Sequence, residues 1–329
     1  MNKILITGGA GFIGAHLAKS LEKKNQLMIV DNLENKGAIP YINKSNIFIK
    51  GNILDKKILK KIERWKPDII YHLAAQSGGE GAYEDPNKDF ISNGFGTYLI
   101  ANLAKKIKCK YFIYASSVAV YGSDTKKKLN EKSRINPDSI YGISKYSGEM
   151  FVNQILKKTN IKVRIFRIFN TYGPGENLLN LKKGIVSIYC SFIWKKRPLV
   201  IKGSLYRFRN LTYISDCVRI LMKSISNKKL KKFEIINLSS GEKIILKDLI
   251  KKILKINNFK SWKIIKKDNT PGDSFGTNTS NKYLKKKFNN YRFIKLEEGL
   301  IRYFKWIKRI NAKNLSKSHP YHIDKNYEI

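Results

Sequence analysis

Short β-branched and aromatic runs alternate with longer amphipathic stretches through the first half of this chain. The apolar runs, at residues 4–6, 27–30, 47–49, 69–72, 111–115 and 163–166, have the length of strands. Between them, residues 12–24, 56–65, 93–106 and 143–158 repeat their apolar positions at helical spacing. Strand and helix in alternation point to βαβ units, and therefore to a doubly wound α/β fold on a parallel sheet. Past residue 170 the alternation weakens. Glycine and proline punctuate the chain at Gly173-Pro174-Gly175, Pro198 and Pro271-Gly272, and helical patterns at 246–256 and 296–310 lie among short strands. The pattern predicts a large α/β unit over 1–170, to which parts of later segments return. A smaller, discontinuous mixed α/β lobe follows over 171–310, then a polar tail over 311–329.

The turn after the first strand reads Thr7-Gly8-Gly9-Ala10-Gly11-Phe12-Ile13-Gly14, in which Gly9, Gly11 and Gly14 fit G-x-G-x-x-G. One glycine permits the strand-to-helix turn, one admits a pyrophosphate to the backbone, and one lets the helix close on the sheet. The phosphates then meet the N–H groups of a helix N-terminus. Asp31 ends the second strand, where a carboxylate accepts from the adenosine ribose hydroxyls and repels a 2′-phosphate. No arginine follows it closely, so the pattern selects NAD over NADP. A Rossmann unit with a C-terminal substrate lobe is the expected fold.

Composition adds a net charge of +40, from 65 Lys and Arg against 25 Asp and Glu. Such a balance raises a polyanion-binding reading, because clustered cations release counterions from a phosphate backbone. The lysines, however, come as pairs and triplets in nearly every segment, without an arginine-rich stripe, and read as a solvated surface rather than a nucleic-acid site. Cys109, Cys190 and Cys217 are too few and too scattered for a disulfide framework or a metal site, which makes a reducing, cytoplasmic setting the expectation. No run is long and apolar enough for a membrane span, and residues 4–18 carry glycines and a histidine where a signal peptide needs an apolar centre.

Candidate chemistry lies in Tyr141-Gly142-Ile143-Ser144-Lys145, which sets a phenol and an ammonium four residues apart on one helix face. A cation near a phenol favours the phenolate and so makes a base. The same spacing recurs at Tyr283/Lys287, Tyr291/Lys295 and Tyr321/Lys325. Position singles out Tyr141, which follows the fifth strand and its terminal Ser116-Ser117, at the end of the sheet where ligands bind. Ser117 can hydrogen-bond the same substrate hydroxyl. His72, ending a strand, reads as a packed core residue.

These motifs resemble those of the extended short-chain dehydrogenase/reductases that act on nucleotide sugars, and among them the UDP-glucose 4-epimerase type. The resemblance runs from Lys3 to about Ile310. It takes in the glycine turn, Asp31-Asn32, Gly51-Asn52-Ile53-Leu54-Asp55, His72-Leu73-Ala74-Ala75, Asn93 with Gly96-Thr97, and Ser116-Ser117-Val118-Ala119-Val120-Tyr121-Gly122. It continues through Tyr141 with Lys145, Arg167-Ile168-Phe169-Asn170-Thr171-Tyr172-Gly173-Pro174, Arg207-Phe208-Arg209 and Pro271-Gly272-Asp273. Arg207-Phe208-Arg209-Asn210-Leu211 resembles the family's sugar-diphosphate segment, usually written Arg-Asp-Phe, from which Asn210 departs.

The resemblance implies NAD contacts at Gly8, Gly11, Phe12, Ile13, Gly14, Asp31, Asn32, Ile53, Asp55, Ala74, Ala75, Tyr141 and Lys145. Ser117, Tyr141 and Lys145 would be catalytic, with Tyr141 the general base on the sugar C4 hydroxyl, and Ser117, Asn170, Arg209 and Asp273 would hold the nucleotide sugar. Helices over 93–106 and 143–158 would pair two subunits in a homodimer. Where 4,6-dehydratases carry an acidic pair after the serine, this chain has Val118 and Ala119, which move no protons. That leaves C4 chemistry: an NAD-dependent C4 epimerase supplying a surface polysaccharide or lipopolysaccharide precursor. The alternatives are a net C4 dehydrogenase or ketoreductase of a nucleotide-linked hexose or heptose, or a polyanion-binding protein on the same scaffold.

Overall fold

The computed structural model describes residues 1–34, 46–123, 128–182, 184–268 and 274–309; the polar tail over 311–329 and Pro271-Gly272-Asp273 lie outside them. The first half runs β1 (Lys3–Thr7), α1 (Phe12–Leu21), β2 (Gln26–Asp31), β3 (Ile47–Lys50), α2 (Lys56–Trp65), β4 (Ile69–His72), α3 (Gly79–Glu84) and α4 (Pro86–Phe90). A π turn (Ile91–Phe95) then leads into α5 (Gly96–Ile107) and β5 (Tyr111–Ser117). A 3₁₀ turn (Val118–Tyr121), α6 (Ile140–Leu156) and β6 (Lys162–Ile168) complete it. The second half runs β7 (Asn170–Tyr172), α7 (Ile185–Trp194), β8 (Leu199–Lys202), β9 (Phe208–Tyr213), α8 (Ile214–Ser226) and β10 (Phe233–Leu238). It ends with β11 (Lys243–Ile245), α9 (Leu246–Ile256), β12 (Ile264–Lys267), α10 (Lys282–Lys287) and α11 (Leu296–Arg309).

Seven strands in the order β10-β6-β5-β4-β1-β2-β3 form one parallel sheet. Successive residues of a strand point to opposite faces, so each strand feeds two cores. On β1, Ile4 and Ile6 join Leu17 and Leu21 of α1, Val218 and Leu221 of α8, and Leu300 of α11. Leu5 turns to the other face and joins Ile58 and Ile62 of α2, Ile100 and Ala104 of α5, and Val152 and Leu156 of α6. Coverage on both faces explains why the strands read as unbroken apolar runs.

Strand order reverses beside β1, which has β2 on one side and β4 on the other, and this opens a crevice at the carboxyl ends of the strands. Two small sheets accompany it, and Asn170, Thr171, Tyr172 and Leu211 of one line the crevice. In one, β9 pairs with β7 in parallel and with β11 antiparallel; in the other, β8 and β12 pair in parallel. The doubly wound sheet with a smaller mixed sheet is thus the architecture expected from the sequence.

Two helix starts differ from the sequence pattern. The helix expected from residue 143 begins at Ile140, because Ser139 caps it by accepting from Gly142 N at 3.1 Å. The helix expected from residue 93 is preceded by α4, which starts at Pro86 under an Asp85 cap and passes through the π turn without a break.

Candidate active site

The turn from β1 to α1 is held by close backbone contact. Gly8 sits at φ +71°, donates to Val30 O at 2.8 Å, and lies so near β4's exit that a Cβ there would come within 2.6 Å of Ala74 N. A Cβ on Gly14 would collide with Gly8 O, so the first turn of α1 rests directly on the turn that leaves β1. Gly11 differs. It precedes α1 without a side-chain cap, and a Cβ on it would meet only Gly8 O, at 3.2 Å. The N–H groups of Phe12, Ile13 and Gly14 in the first turn have no partner within the helix and border the cleft.

Asp31 ties this turn to β2. Its Oδ2 accepts from Ala10 N at 2.9 Å and its Oδ1 from Leu33 N at 2.8 Å. Burial raises its pKa, and the bonds from Leu33 and Ala10 pull it back. Each carboxylate oxygen retains a lone pair for a hydroxyl. Asn32 closes on Glu34, donating to Oε2 and accepting from its N–H, both at 3.1 Å.

At the other end of the cleft, Ser117 closes β5 and caps the 3₁₀ turn, with its Oγ accepting from Ala119 N at 3.2 Å. The half-buried Tyr141 lies in the first turn of α6 and hydrogen-bonds Ser117. Lys145 is 2 % exposed one turn on, with Nζ 4.6 Å from the ring centroid of Tyr114. α6 comes this close because its packed face is bare: a Cβ on Gly142 would lie 2.5 Å from Ala119 O, and one on Gly148 would strike Tyr114 Oη. Beneath lies a buried network. Glu149 receives Arg167 in two bonds of 2.9 and 2.7 Å and Ser116 Oγ at 2.5 Å, and Arg167 also donates to Tyr121 Oη at 2.8 Å.

Burial dominates the electrostatics of the Tyr141/Lys145 pair. Burial pushes the Tyr141 phenol up to about 12; the Ser117 hydrogen bond opposes this and Asp89 adds to it. Lys145 is itself lowered to about 8 by burial against the pull of Asp89 and Glu149, and its Nζ lies over the Tyr114 ring. In the protein alone, burial outweighs the Ser117 hydrogen bond at the Tyr141 phenol. His72 is buried and neutral, lowered to about 3 by desolvation and Lys145, and bridges Thr7 Oγ1 at 2.7 Å and Thr97 Oγ1 at 3.0 Å, the core role expected of it.

One cleft of about 420 Å³ joins these ends. Gly8, Gly11, Phe12, Ile13, Gly14, Asp31, Asn32, Ile53, Ala74, Ala75, Ser117, Tyr141, Lys145 and Asn170 all line it. Two expected residues among those described do not. Asp55 is exposed and caps α2, accepting from Lys57 N at 2.7 Å. Arg209 is buried on β9, its guanidinium on Phe208 O at 2.8 Å and Phe275 O at 3.3 Å. Asp273 lies outside the described residues.

The lining includes residues that sequence reasoning passed over, among them Asn52, Glu176, Asn177 and Asn180. Asn52 had a signal, since it follows β3 directly at the ligand-binding end; Glu176 to Asn180 lie in an irregular stretch without a periodic pattern. Glu80 and Glu84 of α3 pair with Lys202 and Lys182 from the second half.

A dinucleotide fits this lining: an uncapped helix N-terminus stands over a bare glycine, and a carboxylate with spare acceptors stands at the end of β2. The model of the NAD dependent epimerase/dehydratase family matches residues 4–239. The chain is 33% identical over 279 residues to dTDP-D-glucose 4,6-dehydratase of Dictyostelium discoideum, a match spanning 78% of this chain and 62% of that protein's length. Its structure resembles UDP-glucose 4-epimerase of Thermotoga maritima, solved with UDP-glucose, with a TM-score of 0.87 at 27% identity over 93% of this chain and 99% of that one. It also resembles UDP-glucuronic acid 4-epimerase of Bacillus cereus, solved with UDP-glucuronic acid and NAD, with a TM-score of 0.81 at 28% identity and the same coverage.

Proposed function

Because the chain belongs to the NAD dependent epimerase/dehydratase family, we propose that it is a nucleotide-sugar C4 epimerase that supplies precursors for a surface glycan. The cofactor is NAD. One observation carries the reading. Ser117, Tyr141 and Lys145 line one cleft, while the two positions after Ser117 are Val118 and Ala119. The site therefore has the means to move one proton at one carbon and lacks, next to that serine, the acid and base that expelling a C6 hydroxyl as water would require. This is the ground for preferring epimerisation to 4,6-dehydration, although a relative carries the dehydratase name.

In this mechanism Ser117 Oγ holds the C4 hydroxyl, and Tyr141 Oη takes its proton and later returns it. NAD, when bound, supplies a reversible hydride acceptor and a positive charge that favours the phenolate. Gly8, Gly11 and the first turn of α1 would hold its pyrophosphate and Asp31 its ribose, and Ile53, Ala74 and Ala75 of the lining would complete its site. Asn170, which lines the cleft, would contact the sugar diphosphate. The small side chains of Ser77, Ser92 and Thr171 in the lining give a keto sugar room to present its other face.

Two copies would pair through α5 and α6, where Tyr98, Ile143 and Met150 expose apolar surface. Proton NMR of the protein with UDP-, GDP- and dTDP-sugars and a catalytic trace of NAD⁺ tests the reading. A 4-epimer accumulating without net NADH supports it. A 4-keto sugar formed in step with NADH would make the protein a dehydrogenase instead.

A further inference from the structure

The reaction leaves unused a carboxylate lying against the catalytic helix. Asp89, on α4, has no exposed surface. Its Oδ2 accepts from Ser144 Oγ and its Oδ1 from Asn93 Nδ2 at 3.2 Å. Ser144 stands between Tyr141 and Lys145 in α6, its Oγ 3.0 Å from Tyr141 O and 3.0 Å from Asn93 Nδ2. Asn93, in the π turn, also donates to Gln76 O at 3.0 Å, and Gln76 lines the cleft. A carboxylate buried this fully is costly unless hydrogen-bonded and paired with charge.

The groups that act on Lys145 and Tyr141 come from four directions. α6 contributes Glu149, β4 the neutral His72, β5 the Tyr114 phenol and the Ser117 hydroxyl, and α4 Asp89. Glu149 is engaged in two bonds by Arg167 of β6. Asp89 is therefore the carboxylate left to balance the Lys145 ammonium.

We propose that Asp89 is a positioning residue for the active site: through Ser144 it fixes the turn of α6 that carries Tyr141 and Lys145, and its charge keeps Lys145 an ammonium. The inference rests on Tyr141 being the base. Asp89 leads the influences that hold Lys145 up against burial. Burial raises Asp89 in turn, and Ser144, Lys145 and Asn93 pull it back toward the ionised form. The same negative charge opposes the Tyr141 phenolate. Neutralising Asp89 thus lets Lys145 lose its proton, and lets Tyr141 ionise, at lower pH.

The test is an ultraviolet titration of the phenolate in the full-length, NAD-loaded protein, each spectrum taken as a difference from the same protein carrying Tyr141→Phe. In Asp89→Asn the Tyr141 midpoint is expected to fall by about one pH unit. In Ser144→Ala, which cuts the tie and keeps the charge, it is expected to stay in place. A folded Asp89→Asn with the wild-type midpoint overturns the inference. If that variant does not fold, Asp89→Ser, smaller and also uncharged, carries the same expectation and the same power to overturn. No sugar is needed. A shifted midpoint with no response to any nucleotide sugar would leave this inference standing and remove the epimerase reading, whereas epimerisation with a stationary midpoint would do the reverse.

Discussion

Tyr141 sits where burial pushes its phenol up to about 12, so the base assigned to the reaction is made by its neighbours and cofactor rather than by intrinsic acidity. Tyr141→Phe removes only Oη, and hydride transfer is expected to fall at least about 100-fold while NAD stays bound. Turnover above a few per cent of wild type, followed by NMR with retained nicotinamide measured after denaturation, would refute the assignment. The Tyr141/Lys145 spacing was legible in the sequence, but the sign of the phenol's shift was not. Spacing fixes which residues share a helix face; the burial that raises the phenol comes from elements distant in sequence. Asp55 and Asn52 repeat the lesson at shorter range. The structure makes Asp55 a helix cap, and an Asp just before an amphipathic run is a cap signal as well as a motif residue. Asp55→Ala is expected to cost about 1 kcal/mol of stability and leave NAD affinity unchanged, whereas Asn52→Ala should weaken NAD binding with little loss of stability. Calorimetric titration with NAD alongside urea unfolding separates the two, and equal loss of affinity in both variants would restore Asp55 to the binding site.

Among the elements, α6 does the most to set the site, and its placement depends on features that sequence periodicity records poorly. Gly142 and Gly148 admit the 3₁₀ turn and Tyr114, and Glu149 pins the helix to β6 through Arg167. With both partners 4 % exposed, removing one strands a buried charge. Arg167→Leu should therefore cost about 3–5 kcal/mol, readable as a lower urea midpoint. A midpoint within error of wild type would mean that Glu149 finds another partner or takes up a proton. The strands were legible because double burial leaves unbroken apolar runs. The helix starts at Pro86 and Ile140 were not, because they are set by Asp85 and Ser139, whose hydrogen bonds lie ahead of the apolar pattern.

For the whole molecule, two imidazoles buried without charge govern the response to acid. His16, which contacts Pro174 O through Nε2 at 2.8 Å, is lowered by burial to about 4, and His72 to about 3. From pH 6.5 downward the unfolded chain takes up protons that the folded one refuses, so stability falls through the range toward pH 4 by several kcal/mol in order of magnitude. Asp31, Asp89 and Asp216, raised by burial, work in the opposite direction and reduce the net loss. Melting temperatures at pH 7.5, 6.5 and 5.5, chosen to span about two units around the ordinary histidine value, should drop across the lower interval; a flat series would sink the account. The crossing of the chain back into its first sheet has a different consequence. β6 is finished at Ile168, but its outer neighbour β10 begins only at Phe233. A ribosome adding about 5–20 residues per second leaves that edge open for several seconds, during which any passing strand could dock on it. Arg164 and Arg167 stand on β6 throughout that interval, and once β10 arrives Arg164 bonds to Lys231 O and Lys232 O at its threshold. A charge that deters strangers from the nascent edge thus becomes the latch for the strand that belongs there.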